Sequence, residues 1–114
     1  MVTIYHNPRC SKSRQTLQLL QENNVTPEIV EYLKTPLNAK ELTDIINKLG
    51  VSVRDIIRTS EQYYKDRNLK NPELSDDELL SAIVEAPKLM QRPIVVNGNK
   101  AAIGRPPEDV LGIL

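Results

Sequence analysis

Val2-Thr3-Ile4-Tyr5-His6-Asn7-Pro8-Arg9-Cys10-Ser11-Lys12-Ser13-Arg14 is the stretch on which the reading of this chain turns. Its first four residues form a short apolar strand. A polar, proline-containing link follows, and a helix begins at about Ser11 and runs to Glu22, with Leu17, Leu19 and Leu20 inside it. Cys10 stands at the junction. A thiol at a helix N-terminus faces unsatisfied backbone N–H groups and the positive end of the helix dipole. Arg9, Lys12 and Arg14 add cationic side chains. Both effects favour the thiolate, which is the nucleophilic form. The plain alternative is a structural cysteine behaving as a small hydrophobe, but such residues belong in apolar surroundings, and this stretch is not apolar.

Working outward, Asn23-Asn24 ends the helix, because Asn tolerates the left-handed turn found there. After Pro27, Glu28-Ile29-Val30-Glu31-Tyr32 alternates like a strand. Two strands joined by a helix make a parallel, right-handed βαβ unit. The middle of the chain is helical. Asn38 and Glu41 form a capping box ahead of Leu42, Ile45, Ile46 and Leu49, an apolar face at helical spacing, with Gly50 to end it. A shorter turn starts at Ser52, and another short helix surrounds Tyr63-Tyr64. Ser75 and Glu78 form a second box before Leu79, Leu80, Ile83 and Val84, and Pro87 stops that helix. The end returns to sheet. Pro93-Ile94-Val95-Val96 and Ala101-Ala102-Ile103 read as a hairpin around an Asn97-Gly98 turn. Pro106-Pro107-Glu108-Asp109 opens a last helix. The order is therefore β-α-β, helices, then β-β-α. This predicts an α/β, thioredoxin-like mixed four-stranded sheet in a single domain over 1–114, with a helical insertion at about 36–90.

Composition narrows the function. The 15 basic and 15 acidic residues cancel, which argues against nucleic acid or an anionic membrane as the main partner. No apolar run is long enough to span a bilayer, and the first strand begins almost at Met1, leaving nothing for a targeting segment. One cysteine forms no internal disulfide, so a cytoplasmic location is expected. One Cys and one His four apart do not make a zinc site. Position 13 is Ser13, so there is no C-x-x-C pair. Thr16 stands six residues after Cys10, so there is no C-x5-R anion loop of the cysteine-phosphatase kind.

His6-Asn7-Pro8-Arg9-Cys10-Ser11-Lys12-Ser13-Arg14 resembles the N-P-x-C-x-x-S-R signature of the glutaredoxin-coupled arsenate reductase family. Tyr32-Leu33-Lys34-Thr35-Pro36, Val53-Arg54-Asp55-Ile56-Ile57-Arg58, Arg92-Pro93-Ile94-Val95 and Gly104-Arg105-Pro106 resemble further family motifs, spanning almost the whole chain. The resemblance implies an oxidoreductase that reduces arsenate to arsenite. Cys10 would be the attacking nucleophile, with His6 influencing its ionisation. Arg58, Arg92 and Arg105 would gather round the oxyanion. Arg92-Pro93 would be a cis peptide that brings Arg92 beside the cysteine loop. No cofactor would be bound; glutathione would act as co-substrate and glutaredoxin as electron-donating partner. Ser11-Lys12 stands where established reductases carry Gly-Thr, and the chain stops sooner than theirs, so it resembles the short branch of the family.

Elementary chemistry agrees. Arsenate is a multiply charged tetrahedral oxyanion, arginine offers it paired donors, and a helix N-terminus adds backbone donors. With no second cysteine, an external thiol must resolve any Cys10 adduct. Two other readings fit the same residues: a glutathione-linked thiol-transferase acting on another substrate, and a non-catalytic module that binds a protein partner. Arg14 caps or pairs within the first helix, or touches substrate. Arg54 and Arg67 are read as solvated surface charges, and Tyr63 and Tyr64 as packing for the helical block.

Overall fold

The structure is a computed structural model that describes residues 1–114. The chain divides into two compact units: Met1–Thr35 together with Arg92–Leu114, and Pro36–Gln91.

The first unit is a four-stranded mixed sheet with a helix. It comprises β1 (Val2–Tyr5), α1 (Ser11–Glu22), β2 (Glu28–Val30), β3 (Ile94–Asn97) and β4 (Lys100–Ile103). The strand order is β2-β1-β3-β4. β1 runs parallel to β2 and antiparallel to β3, and β3 pairs antiparallel with β4. Ile4 lies opposite both Ile29 and Val95, which sets the register through the middle of the sheet. β3 is central and reads Ile94-Val95-Val96, buried on both faces rather than alternating. Ile4, Leu20, Val95 and Val110 are fully buried and form the core, with Val2, Leu17, Val25, Ala102 and Ile113 packed against them. α1 ends as expected: Asn23 is its C-cap and Asn24 takes φ +63°.

Two expectations are corrected here. The hairpin register pairs Asn97 with Lys100, so the loop is Gly98-Asn99 and not Asn97-Gly98. Gly98 takes φ +63° at the first loop position. Asn97 stays in the strand because its side-chain amide donates to the Ile113 carbonyl at 2.7 Å. The closing segment, Pro107–Ile113, is a 3-10 helix rather than an α-helix. Val110 and Ile113 are three residues apart, so they share a face in the tighter turn, and both reach the core.

The second unit is helical: α2 (Ala39–Leu49), a 3-10 turn (Val53–Ile56), α3 (Gln62–Asp66), α4 (Asp76–Glu85) and a 3-10 turn (Pro87–Leu89). Its core is aliphatic, with Leu42, Ile56, Leu79 and Leu89 essentially inaccessible. Both expected capping boxes are present, Asn38 with Glu41 and Ser75 with Glu78, and at Ser52 the backbone N–H (2.9 Å) and the hydroxyl (3.1 Å) both donate to the Asp55 carboxylate. Gly50 ends α2 in the left-handed conformation at φ +70°. Arg54 is not a solvated charge. Its guanidinium donates to the carbonyls of Leu69 (2.9 Å) and Asn71 (2.6 Å), which ties down the link between α3 and α4. Tyr63 is half-buried; its hydroxyl donates to Glu85, and Arg67 lies over its ring.

Candidate active site

Cys10 is the N-cap of α1, with extended backbone angles of φ −94° and ψ 124°. An N-cap side chain normally accepts from the N–H two or three residues on. Here the side chain is a sulfur, no oxygen caps the helix, and the first turn carries no acidic residue. The loop before it is tied back at every step. The His6 N–H donates to the Val30 carbonyl at 2.8 Å and the Cys10 N–H to the Asn7 carbonyl at 3.0 Å. The Arg9 N–H donates to the Asn7 side chain at 3.0 Å, and the Arg14 guanidinium to the Pro8 carbonyl at 2.9 Å. Arg14 is therefore a strut of the loop.

Two arginines reach the sulfur from the other end of the same unit. The Arg92-Pro93 peptide is cis, and so is Arg105-Pro106, which sequence reasoning did not foresee. The Arg105 Nε donates to the Arg92 carbonyl at 2.8 Å, and its Nη2 stands 3.7 Å from Cys10 Sγ. The Arg92 guanidinium favours the thiolate as well, while its buried Nε has no partner within the protein. Gly104 makes this convergence possible. A Cβ there would lie 2.5 Å from Thr16 Oγ1 and 2.8 Å from Pro93 Cγ, so β4 meets α1 and the Arg92-Pro93 loop at a point with no room for a side chain. The Gly104 N–H donates to the Pro93 carbonyl at 2.9 Å.

Burial pushes the Cys10 thiol up, as a low-dielectric site must. The Ser13 N–H, the Arg92 guanidinium through both its hydrogen bond and its charge, and the Lys12 N–H together outweigh that burial. They leave Cys10 below the ordinary thiol value. The helix-start argument thus holds, but the cation differs from the one expected. The side chains of Arg9 and Lys12 are exposed, Arg14 is engaged with Pro8, and the cations beside the sulfur are Arg92 and Arg105.

His6 is 6% exposed, and burial holds its imidazole below the ordinary value; Glu31 opposes this shift and Arg14 adds to it. Its Nδ1 lies 2.6 Å from the hydroxyl of Ser13, which is wholly buried. Sequence reasoning missed Ser13 as a contact. The available signal was a small hydroxyl residue in the first helical turn, on the side facing the loop. Arg58 belongs to the helical unit. Its N–H donates to the Leu89 carbonyl at 2.7 Å, and its guanidinium pairs with Glu61 at 3.4 Å.

A buried, activated sulfur flanked by two guanidinium groups and a free helix N-terminus is equipped to receive an oxyanion and attack it. The comparisons point the same way. The chain is 56% identical over 114 residues to the uncharacterized protein YfgD of Escherichia coli (strain K12), covering 99% of this chain and 96% of that one. It is 53% identical over the same length to the arsenate reductase of Haemophilus influenzae (strain ATCC 51907 / DSM 11121 / KW20 / Rd), covering 99% and 98%. The solved arsenate reductase from Vibrio cholerae superposes with a TM-score of 0.98 at 49% identity, over 99% of this chain and 97% of that one. The sequence model of the ArsC family matches residues 5–113, so with its cysteine, its arginines and its four-stranded sheet this chain belongs to the ArsC family.

Proposed function

We propose that the chain is an arsenate reductase in which Cys10 attacks arsenic and external thiols complete the reduction. The observation that carries this reading is the convergence of Arg92 and Arg105 on the sulfur at the open start of α1. The same groups serve twice. Before substrate arrives they hold the thiolate. When the oxyanion enters, the unpartnered Arg92 Nε, the outer faces of both guanidiniums and the first-turn N–H groups become its donors. Arg58 is a third substrate-binding arginine only by the family resemblance; its guanidinium pairs with Glu61.

The electron count defines the partners. Arsenate to arsenite is a two-electron reduction. Attack by the Cys10 thiolate forms a sulfur–arsenic bond and expels one oxygen as water. Two external thiols then give up two electrons, leave as one disulfide, and return Cys10 to its starting state. Ser13 at the position of a second cysteine leaves this chain no internal thiol for that step. Glutathione and glutaredoxin are the proposed donors, with the cytoplasm as the compartment that keeps them reduced. No helix is long and apolar enough to cross a membrane.

The test is arsenate-dependent NADPH oxidation with glutathione, glutaredoxin and glutathione reductase present. Turnover that needs both arsenate and Cys10 supports the reading. Reduction of a glutathione mixed disulfide without any arsenate turnover assigns the same cysteine to thiol transfer instead.

A further inference from the structure

We infer that Ser13 is a positioning residue for the cysteine: its hydroxyl fixes His6 as a neutral acceptor at Nδ1 and locks the Asn7–Cys10 loop onto the first turn of α1. The inference rests on the reading of Cys10 as the nucleophile, but it is carried by hydrogen-bond accounting.

A serine hydroxyl has one hydrogen to donate and two lone pairs to accept with. The Asn7 N–H, at 3.0 Å, uses one lone pair. Ser13 is 0% exposed, so its hydrogen must go to a protein group. The Nδ1 of His6, at 2.6 Å, is the acceptor at hand. The bond therefore runs from Ser13 O–H to His6 Nδ1, and the single imidazole proton sits on Nε2. The charged groups acting on this ring are Glu31, from the end of β2, and Arg14, from α1, and they act in opposite senses. The ring's burial favours the neutral form that this bond requires.

The same residue bears on the sulfur through its backbone: it is the third residue of the helix that Cys10 opens, and its N–H is among the groups that favour the thiolate. One short side chain thus joins three parts: the end of β1 through His6, the loop through Asn7, and the helix start through its own N–H. If the hydroxyl is lost, the loop is free to shift against the helix, and the N–H to sulfur alignment loosens with it. Ser13 touches no reacting atom through its side chain; it acts through His6 and the loop.

His6 is the only histidine in the chain, so one imidazole spectrum reads the tautomer without assignment. Long-range ¹H–¹⁵N NMR of the wild type should show Nε2 protonated and Nδ1 accepting a hydrogen bond at neutral pH. Ser13→Ala should erase the accepting signature at Nδ1. It should also move the inflection of the Cys10 alkylation–pH profile upward, slowing iodoacetamide at neutral pH by about three- to tenfold, the scale of one lost hydrogen bond. Ser13→Thr, which keeps the hydroxyl, should restore both readouts. A wild-type ring protonated on Nδ1 overturns the inference whether or not any variant folds. So does a folded Ser13→Ala whose alkylation profile is unchanged. Neither readout uses arsenate, so failure here is distinguishable from failure of the arsenate reductase reading.

Discussion

The start of α1 in the sheet unit is built on the opposite plan from the starts of α2 and α4 in the helical unit. In the helical unit, α2 and α4 each open with a side-chain oxygen cap and a returning carboxylate: Asn38 with Glu41, Ser75 with Glu78. Their free N–H groups and positive dipole ends are answered by the chain itself. In the sheet unit, α1 opens on Cys10 with no oxygen cap and no acid in its first turn. Two arginines approach where α2 and α4 place carboxylates. The lesson is that a helix start left electropositive, and then made more so, is reserved for an anion. Here that anion is the thiolate and, in the proposed reaction, the substrate after it.

Breaking the special helix start should give the largest effect. Cys10→Ser supplies a conventional N-cap oxygen and removes the ionised sulfur, so arsenate-dependent NADPH oxidation should vanish while the far-UV circular dichroism stays native. Activity that survives this change would remove the distinction between the two kinds of helix start. Next come the arginines. Arg92→Ala and Arg105→Ala should each lower kcat/KM by about 10- to 100-fold, the loss of charge-assisted hydrogen bonds of roughly 1.5–3 kcal/mol. Arg105→Lys should recover little, because lysine has no Nε donor branch to hold the Arg92 carbonyl while a second nitrogen faces the sulfur.

The converse change tests the other plan. Asn38→Ala or Ser75→Ala removes a cap whose whole task is structural. Each should cost about 1 kcal/mol in urea unfolding, and neither should alter the alkylation rate of Cys10. The smallest effect is a pH dependence. The Cys10 thiol ionises at lower pH folded than unfolded, so its ionisation stabilises the folded chain. That contribution is fully present above the unfolded thiol value of about 8.5 and is lost as pH falls through the depressed folded value. The stability difference between wild type and Cys10→Ala should therefore shrink as the pH is lowered across that window. A difference that stays flat with pH would show that the helix start does not favour the thiolate.

Much of this contrast could be read from the residues alone. Capping boxes are local patterns, and so is a cysteine between a strand and a helix; both expectations hold. The identity of the cation near Cys10 was not local. Arg9, Lys12 and Arg14 are neighbours in sequence, but side chains around a helix start splay outward, and Arg14 is spent on the Pro8 carbonyl. Arg92 and Arg105 arrive across the sheet, and their relevance came from resemblance rather than from spacing. Asn97-Gly98 was misplaced by one position because the deciding contact, to the Ile113 carbonyl, lies at the far end of the chain. Ser13 was seen as the serine of the signature and as a missing cysteine, with no contact assigned; its hydroxyl bonds depend on a loop conformation that no propensity encodes.

Gly104 sets a limit on how the site can evolve. It has no functional group, yet a single added methyl would collide with Thr16 and Pro93, two residues with little freedom to retreat. In an exhaustive substitution library selected for arsenate tolerance, position 104 should therefore be as barren as position 10. The reason would be geometric exclusion rather than chemistry. Such a map would mark as essential a residue whose entire contribution is the space it leaves empty.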